Sequence, residues 1–123
     1  SRGGCWKCHS GSNLSDEAFH NTGVGFGKSD RDQGRFEATN NPAHEFQYKT
    51  PTLRDIEFTA PYMHDGSVKT LREVVEFYNR GGAPDGPSLD KKMAPLNLSE
   101  QEVGFLVEFL KALSGESVLN PAN

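Results

Sequence analysis

Five residues near the start of the chain, Cys5-Trp6-Lys7-Cys8-His9, constrain everything that follows. Two thiols with two residues between them, and an imidazole immediately after, form the C-x-x-C-H pattern of covalent haem attachment. At that spacing one helical turn aims both sulfurs the same way, so each can bond one vinyl group of a single porphyrin. His9 then falls beneath the macrocycle, where a ring nitrogen suits iron. Other uses of these residues weigh less. A Cys5–Cys8 disulfide would close a tight, strained loop. A thioredoxin-like pair should follow a strand and open a helix, but Cys5 follows Ser-Arg-Gly-Gly. A zinc site would need Cys5 and Cys8 with two of His9, His20, His44 and His64. The sequence has no second C-x-x-C and no H-x-x-x-H to complete it.

The haem reading also answers a problem of composition. The chain has 123 residues, enough for one domain, and only 34% of them are apolar. That is thin for an unaided core, and a buried porphyrin would supply the missing apolar surface. The net charge of −4 argues against nucleic acid and against a polybasic membrane patch. No apolar run approaches membrane-spanning length and no signal peptide is present, so a soluble, mature or trimmed form is expected. Haem c is attached outside the bacterial cytoplasmic membrane, which points to a periplasmic or exported protein.

Along the chain, residues 10–27 are polar and glycine-rich, and the alternating Gly23, Gly25 and Gly27 fit a backbone that hugs another surface. Residues 30–41 read as a charged loop. Asp30, Asp32 and Glu37 do not follow the twelve-residue calcium pattern, and a solvated surface is the better reading. Thr50-Pro51-Thr52-Leu53-Arg54-Asp55 reads as a turn into a short helix with Pro51 near its first position. Thr70 with Glu73, and Ser99 with Glu102, are capping boxes. The first opens a helix with Leu71, Val74, Val75 and Tyr78 on one face, stopped by Gly81-Gly82. The second opens a helix with Val103, Leu106, Val107, Leu110 and Leu113 on one face, ended by Gly115. Residues 1–115 are expected to form the domain and 116–123 a loose tail. No strand signal is strong, so the expected class is all-α: a class I cytochrome c-like domain, with long loops around one haem c. The helix that such domains carry before C-x-x-C-H is missing from this sequence, which reads as a fragment of something longer.

The sixth iron position separates electron transfer from catalysis. Its candidates are Met63, Met93, His20, His44, His64, or no residue. Met93 has the better context, in a prolyl loop (Lys92-Met93-Ala94-Pro95-Leu96) just before the capped closing helix. Both methionines have an ordinary use as gap-filling core residues. His64 is the chief rival, and His20 and His44 sit in polar loops and read as surface residues. A thioether favours Fe(II) and fills the place where peroxide would bind, so His9/Met93 ligation implies a haem that passes electrons.

Four blocks occur here in the order seen in bacterial di-haem cytochrome c peroxidases: Cys5-Trp6-Lys7-Cys8-His9, Pro51-Thr52-Leu53-Arg54-Asp55, Thr59-Ala60-Pro61-Tyr62-Met63-His64-Asp65-Gly66-Ser67 and Met93-Ala94-Pro95-Leu96-Asn97-Leu98-Ser99. MauG-like proteins share much of the pattern. The chain resembles the C-terminal, high-potential haem domain of that family over nearly its whole length. The resemblance implies His9 and Met93 as iron ligands. It implies Arg54, Tyr62 and His64 as residues lining the haem and the face toward the other domain. It implies the backbone carbonyls of Thr59 and Pro61 as contributors to an interdomain calcium. In MauG a tyrosine replaces the methionine ligand; this chain keeps Met93, which favours the peroxidase-like arrangement. The implied role is an electron relay. Electrons come from a small donor protein, a cytochrome c or cupredoxin, and go to a peroxide-reducing haem in an N-terminal domain absent from this chain. The isolated chain is expected to lack the full peroxidase activity. Two alternatives stand beside it: a free-standing mono-haem electron carrier, and a MauG-like oxidising haem domain.

Overall fold

The computed structural model describes residues 2–115, so the expected tail at 116–123 lies outside the described residues. Two helices carry the packing: α2 (Leu71–Asn79) lies against α3 (Glu100–Lys111). Both start where local chemistry puts them. The Thr70 hydroxyl accepts from the Glu73 N–H at 3.2 Å, and the Glu73 carboxylate accepts from the Thr70 N–H at 3.0 Å. Ser99 and Glu102 repeat the arrangement. Each box satisfies donors that the first helical turn leaves unpaired.

On α2 the buried residues are Leu71, Val75 and Phe77, while Val74 and Tyr78 are half-buried. Gly81 and Gly82 then take φ values of 88° and 78° and end the helix. Helix α3 stops at Lys111, a turn before the expected Gly115. Asp55 explains the early stop: its N–H donates to the Leu113 carbonyl, and its carboxylate accepts from the Gly115 N–H at 2.8 Å. Backbone groups that would have extended the helix are spent on this contact.

The all-α expectation is wrong. Strands β1 (Phe19–His20) and β2 (Tyr48–Lys49) pair antiparallel, Phe19 opposite Lys49 and His20 opposite Tyr48, so the chain mixes helix and sheet. Two-residue strands are too short to show alternation, and distant side chains fix them. The Ser15 hydroxyl donates to the Thr50 carbonyl at 2.7 Å, and the Thr50 N–H donates to Ala18. Two further local readings are corrected. The charged loop contains a short helix, α1 (Phe36–Thr39), closed by Asn40 at φ 54°. Pro51 opens no helix. The Thr52 hydroxyl accepts from the Arg54 N–H, and the helical turn comes later, at Ile56–Phe58 after Asp55 at φ 57°.

The buried apolar core is small: Val24, Tyr62, Leu71, Val75, Phe77 and Val103. A polar knot supplements it. Asn21, 1% exposed, donates to Asp85 at 2.8 Å and accepts from the Gly23 N–H at 2.9 Å. Asp85 in turn pairs with Arg31 at 2.7 Å. Gly23 is needed for this approach, since a Cβ there would sit 2.5 Å from the Ala83 carbonyl oxygen.

Candidate functional site

Cys5–Lys7 form one tight helical turn, entered through Gly4 at φ 63°. The Cys5 carbonyl accepts from the N–H groups of both Cys8 and His9, at 3.2 and 2.8 Å, which closes the turn. Both thiols are free. Burial raises the pKa of each; at Cys8 the nearby Lys92 charge opposes it. A redox-active C-x-x-C needs the opposite shift, toward thiolate. The turn therefore presents two accessible neutral thiols, which suits attachment better than disulfide exchange.

His9 completes the donor set. Its Nδ1 lies 2.8 Å from the Leu14 carbonyl oxygen, which fixes the ring and leaves Nε2 as the free donor atom. Metal-binding histidines are oriented in this way by a carbonyl at the other nitrogen. Two thiols on one turn, with an anchored imidazole beside them, are the groups that a covalently held haem requires. These residues fit it.

The other histidines are engaged elsewhere. His64 stacks on Tyr48, with ring centroids 3.6 Å apart and planes 11° apart, and the Tyr48 hydroxyl donates to Asp32. Desolvation lowers the His64 pKa, while the charges of Asp65 and Asp32 oppose it. His44 meets the Thr39 hydroxyl at 2.9 Å. His20, expected at the surface, is instead enclosed: its side chain is 10% exposed, between Asp90 at 2.6 Å and Asp16 at 2.7 Å. Donor atoms of Cys8, Asp16 and His20 come within 4.8 Å of one another, but carboxylates occupy both His20 nitrogens.

The two methionines lie in different surroundings. Met63, at φ 70°, lines a cavity of about 290 Å³ with Val24, Phe26, Val68 and Phe77, and neither cysteine shares it. Met93 is half-buried, and its N–H donates to the Asp90 carbonyl at 2.9 Å. Its loop reaches the attachment turn, because Lys92 Nζ donates to the Lys7 carbonyl at 3.2 Å. The Met93 methyl lies against Gly82, 2.8 Å from where a Cβ would stand. Tyr78, on the packed face of α2, is half-buried, and desolvation raises its pKa.

Arg54, Tyr62, Thr59 and Pro61 belong to the segment that follows β2. Arg54 is exposed and donates through Nε and Nη2 to the Ser12 carbonyl, fastening this segment to the loop after His9. Tyr62 is buried and donates to the Ile56 carbonyl at 3.0 Å, and burial raises its pKa. Thr59 and Pro61 flank Ala60 in an exposed turn beside it.

No protein-family model matches the chain. Cytochrome-c peroxidase IdrP1 of Denitromonas iodatirespirans is 37% identical over 141 residues, covering 92% of this chain and 37% of that protein. Methylamine utilization protein MauG of Methylorubrum extorquens is 39% identical over 115 residues, covering 94% of this chain and 32% of that protein. The chain thus spans about a third of the length of the curated relatives it matches. Among solved structures, a MauG-like protein associated with microbial copper homeostasis superposes with a TM-score of 0.90 at 31% identity. That match covers 98% of this chain and 45% of the other.

Proposed function

We propose that this chain, which belongs to the cytochrome-c peroxidase and MauG family, is the haem c-bearing electron-relay unit of a larger periplasmic redox protein. Residues 1–115 form that unit. The observation that carries the reading is the anchored His9 ring, with Nε2 free, beside two free thiols on one turn. Cys5 and Cys8 would hold the haem covalently and His9 would bind its iron. When bound, the haem supplies one-electron exchange between ferrous and ferric iron. The chain's own part is to orient the imidazole through Leu14, to bring the Met93 loop to the attachment turn through Lys92, and to fasten the loop after His9 with Arg54. A small donor protein, a cytochrome c or cupredoxin, delivers electrons. The acceptor is a second haem in the rest of the parent protein, which reduces peroxide. Calcium at the Thr59 and Pro61 carbonyls belongs to the same proposal. No helix among the described residues is long and apolar enough to cross a membrane.

In the first reading Met93 would be the second protein ligand to the iron, and the chain an electron carrier. A second reading leaves Met93 off the iron. It is favoured by the similarity to MauG and a MauG-like protein. A thioether stabilises ferrous iron, so a haem without one points to MauG-like oxidising chemistry. The optical spectrum of the ferric protein separates the two. Under the first reading a weak long-wavelength sulfur-to-iron band is present and Met93→Ala abolishes it. Under the second the band is absent from the start and Met93→Ala leaves the spectrum unchanged. A purified sample whose pigment is extracted by acidified acetone would refute both, because thioether-bound haem stays with the chain.

A further inference from the structure

We infer that His20 is a positioning residue, a two-sided ring clamp that holds the Met93 loop against the segment carrying Cys8 and His9. The clamp is read from the chain alone; its relevance to the iron rests on the haem reading above. His20 Nδ1 lies 2.6 Å from Asp90 Oδ2, and Nε2 lies 2.7 Å from Asp16 Oδ2. Each ring nitrogen thus faces a carboxylate oxygen at hydrogen-bond distance, so the ring is bonded from both sides. Such charge-assisted bonds are short and strong.

Both carboxylates have further donors besides the ring. Burial pushes Asp16 upward, but bonds from the Ala18 N–H, Thr50 and His20 outweigh it and hold the group well below the ordinary carboxylate range. At Asp90 burial is likewise outweighed by bonds from the Lys92 N–H and His20. Lys92 is the other charge at the clamp, 3.8 Å from Asp16.

Each carboxylate belongs to a residue whose backbone touches the site. The Asp16 N–H donates to the Cys8 carbonyl at 2.7 Å. The Asp90 carbonyl accepts from the Met93 N–H at 2.9 Å, and Asp90 Oδ1 accepts from the Lys92 N–H at 2.8 Å. His20 itself is fixed by pairing with Tyr48 in the sheet. One ring thus joins two segments that lie far apart in the chain, and both border the attachment turn. The short sheet gains a purpose: it places the ring.

The test is amide hydrogen exchange on the protein as isolated, with its haem, comparing wild type, His20→Gln and His20→Arg. Glutamine fills similar space but turns a carbonyl oxygen toward one carboxylate, whereas arginine can still donate to both. The expected result is exchange at Asp16, Lys92 and Met93 at least tenfold faster in H20Q, with α3 amides around Val103 unchanged and wild-type rates largely restored in H20R. With α3 exchange unchanged, the ferric spectrum should shift in H20Q and return in H20R. Unchanged exchange at Lys92 and Met93 overturns the clamp. So does equal acceleration at Val103, or an arginine variant that behaves like glutamine. If H20Q does not fold, Asp90→Asn gives the reading instead. It should release Lys92 and Met93 while Asp16 stays protected, and equal release of Asp16 overturns the proposal. Covalent haem content of the same samples is scored separately, so failure of the haem reading is distinguishable from failure of the clamp.

Discussion

Replacing Asp85 with alanine strips the partner from an almost enclosed guanidinium. Arg31 and Asp85 meet at 2.7 Å, with side chains 9% and 9% exposed. Removing one member of a buried pair leaves an uncompensated charge and costs about 3–5 kcal/mol. Arg31 keeps part of its surroundings: Nε donates to the Val24 carbonyl at 3.2 Å, and the guanidinium lies 3.8 Å from the Phe46 ring centroid. Asn21 loses its Asp85 acceptor but keeps Ser88. The lower end, about 3 kcal/mol, is therefore expected. At about 4 °C per kcal/mol for a domain of this size, the melting temperature should fall by roughly 12 °C. Thermal unfolding of the haem-loaded protein at neutral pH, followed by far-ultraviolet circular dichroism, measures this. Replacing both residues with apolar ones, Arg31→Met with Asp85→Leu, should cost much less, because no charge is then left buried. A loss below about 1 kcal/mol for Asp85→Ala is the range of exposed pairs. That result would refute the claim that this knot is desolvated and holds residues 21–31 to the loop leading to Met93.

Two other perturbations test the site's surroundings. Gly82→Ala forces a side chain onto a residue at φ 78° and drives its Cβ into the Thr22 carbonyl and the Met93 methyl. A stability loss of about 2 kcal/mol or more is expected, since the left-handed conformation alone costs about 1–2 kcal/mol. Gly86→Ala is the control: at φ 61° with nothing within 4 Å, it should show the conformational cost alone, and equal losses would remove the case for a close contact at Gly82. Asp65 tests the electrostatics. Burial pushes its carboxyl upward, but the Lys28 ammonium and Ser67 outweigh it and bring the pKa down to about 2. A depressed native pKa gives stability that is present above the unfolded value near 4 and is lost as pH falls through about 2. The stability gap between wild type and Asp65→Asn should therefore narrow between pH 5 and pH 2.5, in denaturant titrations at each pH. A constant gap would contradict the pairing.

Local chemistry was legible and long-range charge pairing was not. The capping boxes at Thr70 and Ser99 close over three residues, so a sequence pattern suffices to find them. The attachment turn is equally local, because Cys5 and its carbonyl organise Cys8 and His9 directly. His20 is the opposite case. Its polar neighbours read as a solvated loop, yet Asp16 and Asp90 are what enclose it, and Asp90 lies 70 positions away. A run of polar residues meets water only when its charges find no partners elsewhere in the chain. The same holds for the sheet, whose two strands carry no alternation and are specified by contacts such as Ser15 with Thr50, 35 positions apart. The close approach at the end of α2 was hidden too. Gly81 and Gly82 read only as a helix stop, yet Pro95 meets Gly81 there, and the Thr22 carbonyl and Met93 methyl meet Gly82, because two glycines let two loops approach the helix terminus.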